Sequence, residues 1–156
     1  MSLGQALYVT AIGRLTLESE VACLRALCRE VAAEMEQASR QVGASAGTLA
    51  AEAEAIERET RRLMLSLRLA VQLPAEERRV AVGSRVRLRG PRGRHHTLTL
   101  VGPVSANPTV GLVSFDSALG RALLGREVDD VVDLREVGFD WNARILDVET
   151  EIGGRC

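Results

Sequence analysis

Two runs of apolar residues, each stepping alternately by four and by three, constrain this chain more than any other feature. Leu17, Val21, Leu24, Cys28, Val31, Met35, Ala38 and Val42 make the first run. Leu49, Ala53, Ile56, Thr60, Leu63, Leu67 and Ala70 make the second. Such alternation is an a/d seam, and each seam is sustained for about three heptads. Between the seam positions lie Glu18, Glu20, Arg25, Arg29, Glu30, Glu34, Glu36 and Arg40, then Glu52, Glu54, Glu57, Arg58, Glu59, Arg61 and Arg62. Charged residues there keep the outer faces in water, so each run reads as a helix burying one narrow stripe.

The helix ends are marked as well. Thr10 is expected to cap a helix starting at Ala11, and Gly43 to end it in the left-handed conformation. Thr48 is the expected cap of the second helix. Pro74 stops that helix, with Leu73 steered away from helical geometry. A connection this short makes the helices antiparallel neighbours. The tip of the hairpin is then Gly43, Ala44, Ser45, Ala46 and Gly47. No Asp or Glu lies between Glu36 and Glu52, so the tip offers no carboxylate. A two-helix hairpin buries only a thin seam and needs an anchor at its base.

Near Pro74 the 3.5-residue period ends and short β-type runs begin. Residues 1–73 are therefore expected to form the hairpin, 74–79 a linker, and 80–156 a small α+β domain. Arg85 to Arg89 alternates charged and apolar residues, as a half-exposed strand does. Gly90-Pro91-Arg92-Gly93 reads as a turn. Thr97 to Val101 and Val110 to Val113 read as further strands. Asp116-Ser117 can cap a short helix from Ala118 to Leu124, closed by Gly125. Asp130 to Leu134 and Trp141 to Val148 read as a final strand pair, with a turn near Gly138.

Composition adds mainly exclusions. The formal net charge is −1, which by itself implies neither a nucleic-acid nor a membrane partner. Every basic side chain is arginine, a bias that fits a GC-rich genome. Cys23, Cys28 and Cys156 match neither a zinc spacing nor a disulfide framework, so no metal and no cofactor is expected. No apolar run is long enough to span a bilayer and no leader pattern opens the chain. The expectation is a cytoplasmic protein.

The stretch Val113-Ser114-Phe115-Asp116-Ser117-Ala118-Leu119-Gly120-Arg121-Ala122-Leu123-Leu124-Gly125-Arg126-Glu127-Val128-Asp129-Asp130-Val131-Val132 resembles the signature of the Gre transcript-cleavage factors. Gly83-Ser84-Arg85-Val86 resembles the opening of the same domain. Thr10, Gly13, Leu17, Glu20, Val21 and Leu24 fall in register with the family's first helix. The departures are Ala118, where the family has proline, and Asp129, where it has glycine. The resemblance covers nearly the whole chain and implies an antiparallel coiled-coil hairpin plus an FKBP-like C-terminal domain.

It also implies a partner, bacterial RNA polymerase. In the family the C-terminal domain grips the β′ rim helices of the secondary channel, and the coiled coil passes down that channel. Cleavage-competent members carry an Asp and a Glu at the tip, which help to hold a Mg²⁺ that activates water against the RNA. Aligned on Gly43, those positions are Ala44 and Gly47. The resemblance therefore implies a non-cleaving homologue, not an enzyme. It would act on transcription as a monomer, by occupancy and by competition with cleavage-competent Gre factors, without sequence-specific DNA binding. The alternatives are a Rnk-like or otherwise specialised paralogue, or a coiled-coil adaptor for another partner. An FKBP-like fold does not by itself imply prolyl isomerase activity, and no aromatic-lined pocket is evident in the sequence.

Several residues carry two readings. Asp116 and Ser117 cap a helix or, with Ala118, meet the polymerase rim. Leu119 and Leu123, four apart, serve the core or that interface. Arg58, Arg61 and Arg62 are a charged helix face, or they lie near RNA as the resemblance implies. Arg78, Arg79, Arg85, Arg87, Arg89, Arg92 and Arg94, with His95 and His96, form a solvated strand face or a patch facing polymerase or nucleic acid.

Overall fold

A computed structural model describes residues 6–40, 46–74 and 77–150. The chain is an α+β protein with an N-terminal coiled-coil hairpin and a C-terminal α+β domain. The elements run β1 (Tyr8–Val9), α1 (Ala11–Ser39), α2 (Ala46–Leu69), β2 (Val71–Gln72), β3 (Ser84–Arg89), β4 (His95–Val101), β5 (Leu112–Ser114), α3 (Ala118–Leu123), β6 (Val131–Asp133) and β7 (Asn142–Thr150). They fall into two compact units, Glu18–Arg68 and a second unit made of residues 1–17 with 69–156. Among the described residues, no helix is long and apolar enough to cross a membrane.

The Glu18–Arg68 unit is the hairpin, and the heptad seams are its inside. Val21, Leu24, Val31, Thr60 and Leu63 are buried. Cys28, Met35 and Ala38, like Leu49, Ala53 and Ile56, are only half-buried. Burial is therefore incomplete along both helices, as two helices with no third layer require. Arg25 Nη2 donates to Met64 Sδ across the pair at 3.3 Å. The helix ends differ from expectation. Helix α1 ends at Ser39, ahead of Gly43, which lies outside the described residues together with Val42. Helix α2 begins at Ala46, two residues before the expected cap Thr48, which lies inside its first turn. It ends at Leu69, well before Pro74, because the chain there turns into β2.

The second unit begins with residues that the periodic pattern did not flag. Strand β1 runs parallel to β2, with Tyr8 opposite Val71 and Val9 opposite Gln72. On its other side Val9 bridges Val82. The Val82 N–H donates to Tyr8 O at 2.8 Å and the Thr10 N–H to Val82 O at 3.0 Å. Thr10 caps α1 as expected, its Oγ1 accepting from the Gly13 N–H at 2.9 Å. Gly13 is required for close approach: a Cβ there would collide with the Val82 carbonyl. The facing Gly83 holds φ at 98°, a left-handed conformation that favours glycine.

The main sheet has the order β5-β4-β3-β7-β6. All its pairings are antiparallel except β4 with β5, which is parallel. Strand β3 alternates as expected: Ser84, Val86 and Leu88 point inward, and Arg85, Arg87 and Arg89 outward. Strand β7 changes phase halfway. Ala143 and Ile145 are buried, and then Val148. A bulge opposite Arg87/Leu88 absorbs the extra residue. Helix α3 packs Leu123 and Leu124 onto this sheet, completing a core with Val80, Leu98, Leu100, Val132, Leu134 and Ile145.

Candidate functional site

The segment leading into α3 is tightly self-bonded. Ser117 is the N-cap; its Oγ accepts from the Gly120 N–H at 3.0 Å and donates to Ser114 O at 2.7 Å. The buried Ser114 hydroxyl donates to the Asp116 carboxylate. Asp116 is thus oriented by a neighbouring side chain, while Ser117 does the capping. A Cβ at Gly120 would collide with Ser114 O, so α3 begins pressed against the end of β5. Asp116 and Ser117 are half-buried, Ala118 is exposed and Leu119 is half-buried. Leu123 is 0% exposed. Of the two readings of the leucine pair, Leu123 takes the core one, because it points into the sheet and holds α3 in place.

Both departures from the family signature fit their backbone. Ser117, at φ −66° and ψ 161°, has the extended geometry that accepts a following proline, yet Ala118 stands there. Asp129 has φ 73°, the left-handed region where glycine is the usual residue and Asp is tolerated.

Of the hairpin tip, Gly43, Ala44 and Ser45 lie outside the described residues. Ala46 opens α2, and Gly47 lies in its first turn with nothing within 4 Å of where a Cβ would sit. Arg58, Arg61 and Arg62 are exposed on α2. Arg58 Nε donates to Glu54 O at 3.4 Å, and Arg62 lies 3.8 Å from Glu59. Local partners hold two of these arginines along their own helix.

The basic stretch is divided rather than uniform. Arg79 lies over the Tyr8 ring, with its Cζ 5.1 Å from the centroid. It donates from Nη2 to Glu127 at 3.0 Å, and its Nε sits 3.1 Å from Glu77. Arg78 and Arg87 both reach Asp147, at 3.4 and 3.6 Å. Arg85 reaches Glu149 at 4.0 Å. At the end of β6, Arg135 donates to Asp133 from its side chain and its backbone. Those bonds hold the Asp133 carboxyl below its ordinary pKa.

An aromatic-lined groove, which the sequence did not reveal, lies over the inner end of the sheet. It holds about 270 Å³ and is lined by His96, Leu98, Leu119, Phe139 and Trp141 among others. His96 stacks on Trp141 with centroids 5.6 Å apart and planes at 25°. Phe139 packs on the same ring at 5.7 Å. Two segments far apart in sequence supply these rings, His96 from β4 and Phe139 with Trp141 from the approach to β7. The available signal was the shared inward phase of His96, Leu98 and Leu100 on β4.

Comparison with known proteins bears on most of the chain. The family described as "Transcription elongation factor, GreA/GreB, C-term" matches residues 75–150. The transcription elongation factor GreA of Chloroflexus aurantiacus is 34% identical over 150 residues, covering 90% of this chain and 96% of that protein. The GreA of Oceanobacillus iheyensis is 39% identical over 59 residues, and that match spans only 37% of its length. Among solved structures, the GreA factor homolog 1 (Gfh1) of Thermus thermophilus matches at 24% identity and a TM-score of 0.45, covering 92% of this chain and 98% of that one.

Proposed function

This chain belongs to the GreA/GreB family of transcription elongation factors, and from that premise we propose that it binds bacterial RNA polymerase at the secondary channel without stimulating transcript cleavage. One observation carries the reading: no carboxylate lies between Glu36 and Glu52. Cleavage in the family rests on two tip acids holding a metal ion, and the matching positions are Ala44 and Gly47. Glu52 stands about 9 Å of helix rise beyond Ala46, too far back to replace a pair at the tip. The protein therefore acts by occupancy. It obstructs the channel and competes with cleavage-competent Gre factors.

The surface proposed to grip the polymerase rim is Asp116, Ser117, Ala118 and Leu119. The Ser114 hydroxyl fixes the Asp116 carboxylate, and Leu123 anchors the helix from beneath.

The deciding experiment is competition in backtracked elongation complexes. Added in excess, the chain suppresses cleavage by a cleavage-competent Gre factor and stimulates none itself. Robust cleavage by the chain alone, or no suppression in excess, would overturn the reading. Asp116→Lys lowers the affinity for polymerase while the melting curve stays cooperative; unchanged affinity would reduce Asp116 to a local structural role.

A further inference from the structure

The outer face of the main sheet is electrically uneven along its strands. At one end every strand arginine has an acid across from it: Arg85 faces Glu149 and Arg87 faces Asp147. Past the bulge the pattern inverts, and Arg89 stands directly opposite Arg144. Like charges in that position repel. The β3–β4 turn adds Arg92 and Arg94 at the same end. Among the described residues, Arg89, Arg92, Arg94 and Arg144 make no ion pair. The exposed acids of the β6–β7 connection, Glu136 and Asp140, do not pair with them either. Arg92 is moreover held at φ 58°, a conformation that arginine adopts rarely and glycine readily.

The stacked rings reach the same turn from the inner face of the sheet, where His96 pairs with Leu88. Trp141 Cζ3 lies 3.1 Å and His96 Nε2 3.3 Å from where a Cβ on Gly90 would sit. Arg89 Nη2 lies 3.7 Å from the corresponding point on Gly93. One short turn therefore carries cationic groups on its outer side and π faces on its inner side. Phe139 is 42% exposed, and His96 is exposed too. Unpaired guanidinium groups on one side of a turn and exposed rings on the other fit a strand that passes over the turn and alternates phosphates with flat bases. An acidic peptide would use the charges and leave the rings idle.

We propose that this end of the sheet binds single-stranded nucleic acid. The four arginines hold phosphates, and a base stacks on the His96–Trp141 pair. Its four arginines and two rings are different residues from Asp116, Ser117, Ala118 and Leu119, of which Leu119 borders the ring groove, and the site stands whether or not the chain enters a polymerase channel.

The test is titration of the full chain with labelled oligouridylate and oligodeoxythymidylate of about 12 nucleotides, read by anisotropy and by Trp141 emission. Trp141 is the sole tryptophan, so quenching reports from the site itself. Saturable binding with quenching is expected, with a log–log salt slope of about −2.8 for four phosphate contacts. The RNA and DNA arms distinguish the natural strand, and binding of either supports the site. Arg92→Gly together with Arg94→Gln lowers affinity about tenfold or more and flattens the slope by about 1.4. Glycine suits the backbone at Arg92, so that loss is not unfolding. Arg87→Gln, whose charge Asp147 already offsets, changes affinity less than about twofold. The proposal is overturned by absence of saturable binding, or by binding that leaves Trp141 emission unchanged. It is also overturned by a polyglutamate peptide outcompeting the oligonucleotide, or by loss of binding on replacing Arg58, Arg61 and Arg62 instead of the turn arginines.

Discussion

The hairpin and the globule are stabilised in different ways. In the Glu18–Arg68 unit one seam between two helices does the burying, and seam positions away from its best-buried residues are only half-covered. In the second unit, sheet and helix enclose a two-layer core in which Leu100, Leu123 and Ile145 are completely buried. Depth of burial sets how far a local change propagates. A seam residue has neighbours on one side, whereas a core residue touches several elements. The hairpin is therefore the more tolerant of the two, and the globule the more cooperative.

The largest expected effect tests that contrast directly. Leu100→Ala destabilises by about 3–5 kcal/mol, since a fully packed site relaxes little around a cavity. Leu63→Ala, at the best-buried point of the hairpin, costs about 2–3 kcal/mol. Hydrogen exchange should place the second loss in residues 18–68 alone. Equal losses spread over the whole chain would show that the two units unfold as one. Next comes Gly13→Ala, expected to cost about 1–3 kcal/mol from the overpacked contact with Val82. Denaturant unfolding measures it, and a cost near zero would mean that the foot of α1 is loosely seated.

The smallest effect is a pH dependence confined to the globule. Because the Asp133 carboxyl is held below its ordinary pKa by Arg135, its contribution is present at neutral pH and is lost as the pH falls through its lowered value. The stability gap between Asp133→Asn and the parent chain should therefore narrow on acidification. A gap independent of pH would assign the effect to the neutral hydrogen bonds instead.

The elements that were legible in the sequence are those with a period. The seams, β3 and the capped α3 announce themselves through spacing, alternation and cap chemistry. Strands β1 and β2 have two residues each and no period to detect; only their pairing with each other and with Val82 makes them strands. Helix α2 starts at Ala46, two residues before the cap that Thr48 offered, a shift at a helix end that spacing alone does not fix. Of the candidate site, the cap at Ser117 was readable and the burial of Leu123 was ambiguous, because two leucines four apart suit a core and an interface equally. The division of the arginines was hidden for a sharper reason. It depends on a bulge in β7 that moves Arg144 opposite Arg89, and nothing in the spacing of β3 foretells it.

The two-stranded ribbon at the base of the hairpin has an evolutionary consequence. The chain leaves the globule after β1 and returns at β2, and the two strands are bonded side by side, with the Val71 N–H donating to Leu7 O at 2.8 Å. Departure and return points are thus adjacent, as they are around a well-placed domain insertion. Whatever lies between them can be lengthened, shortened or stripped of its reactive groups without forcing the globule to re-form its own pairings. A lineage can in this way exchange one hairpin tip for another while keeping the same body.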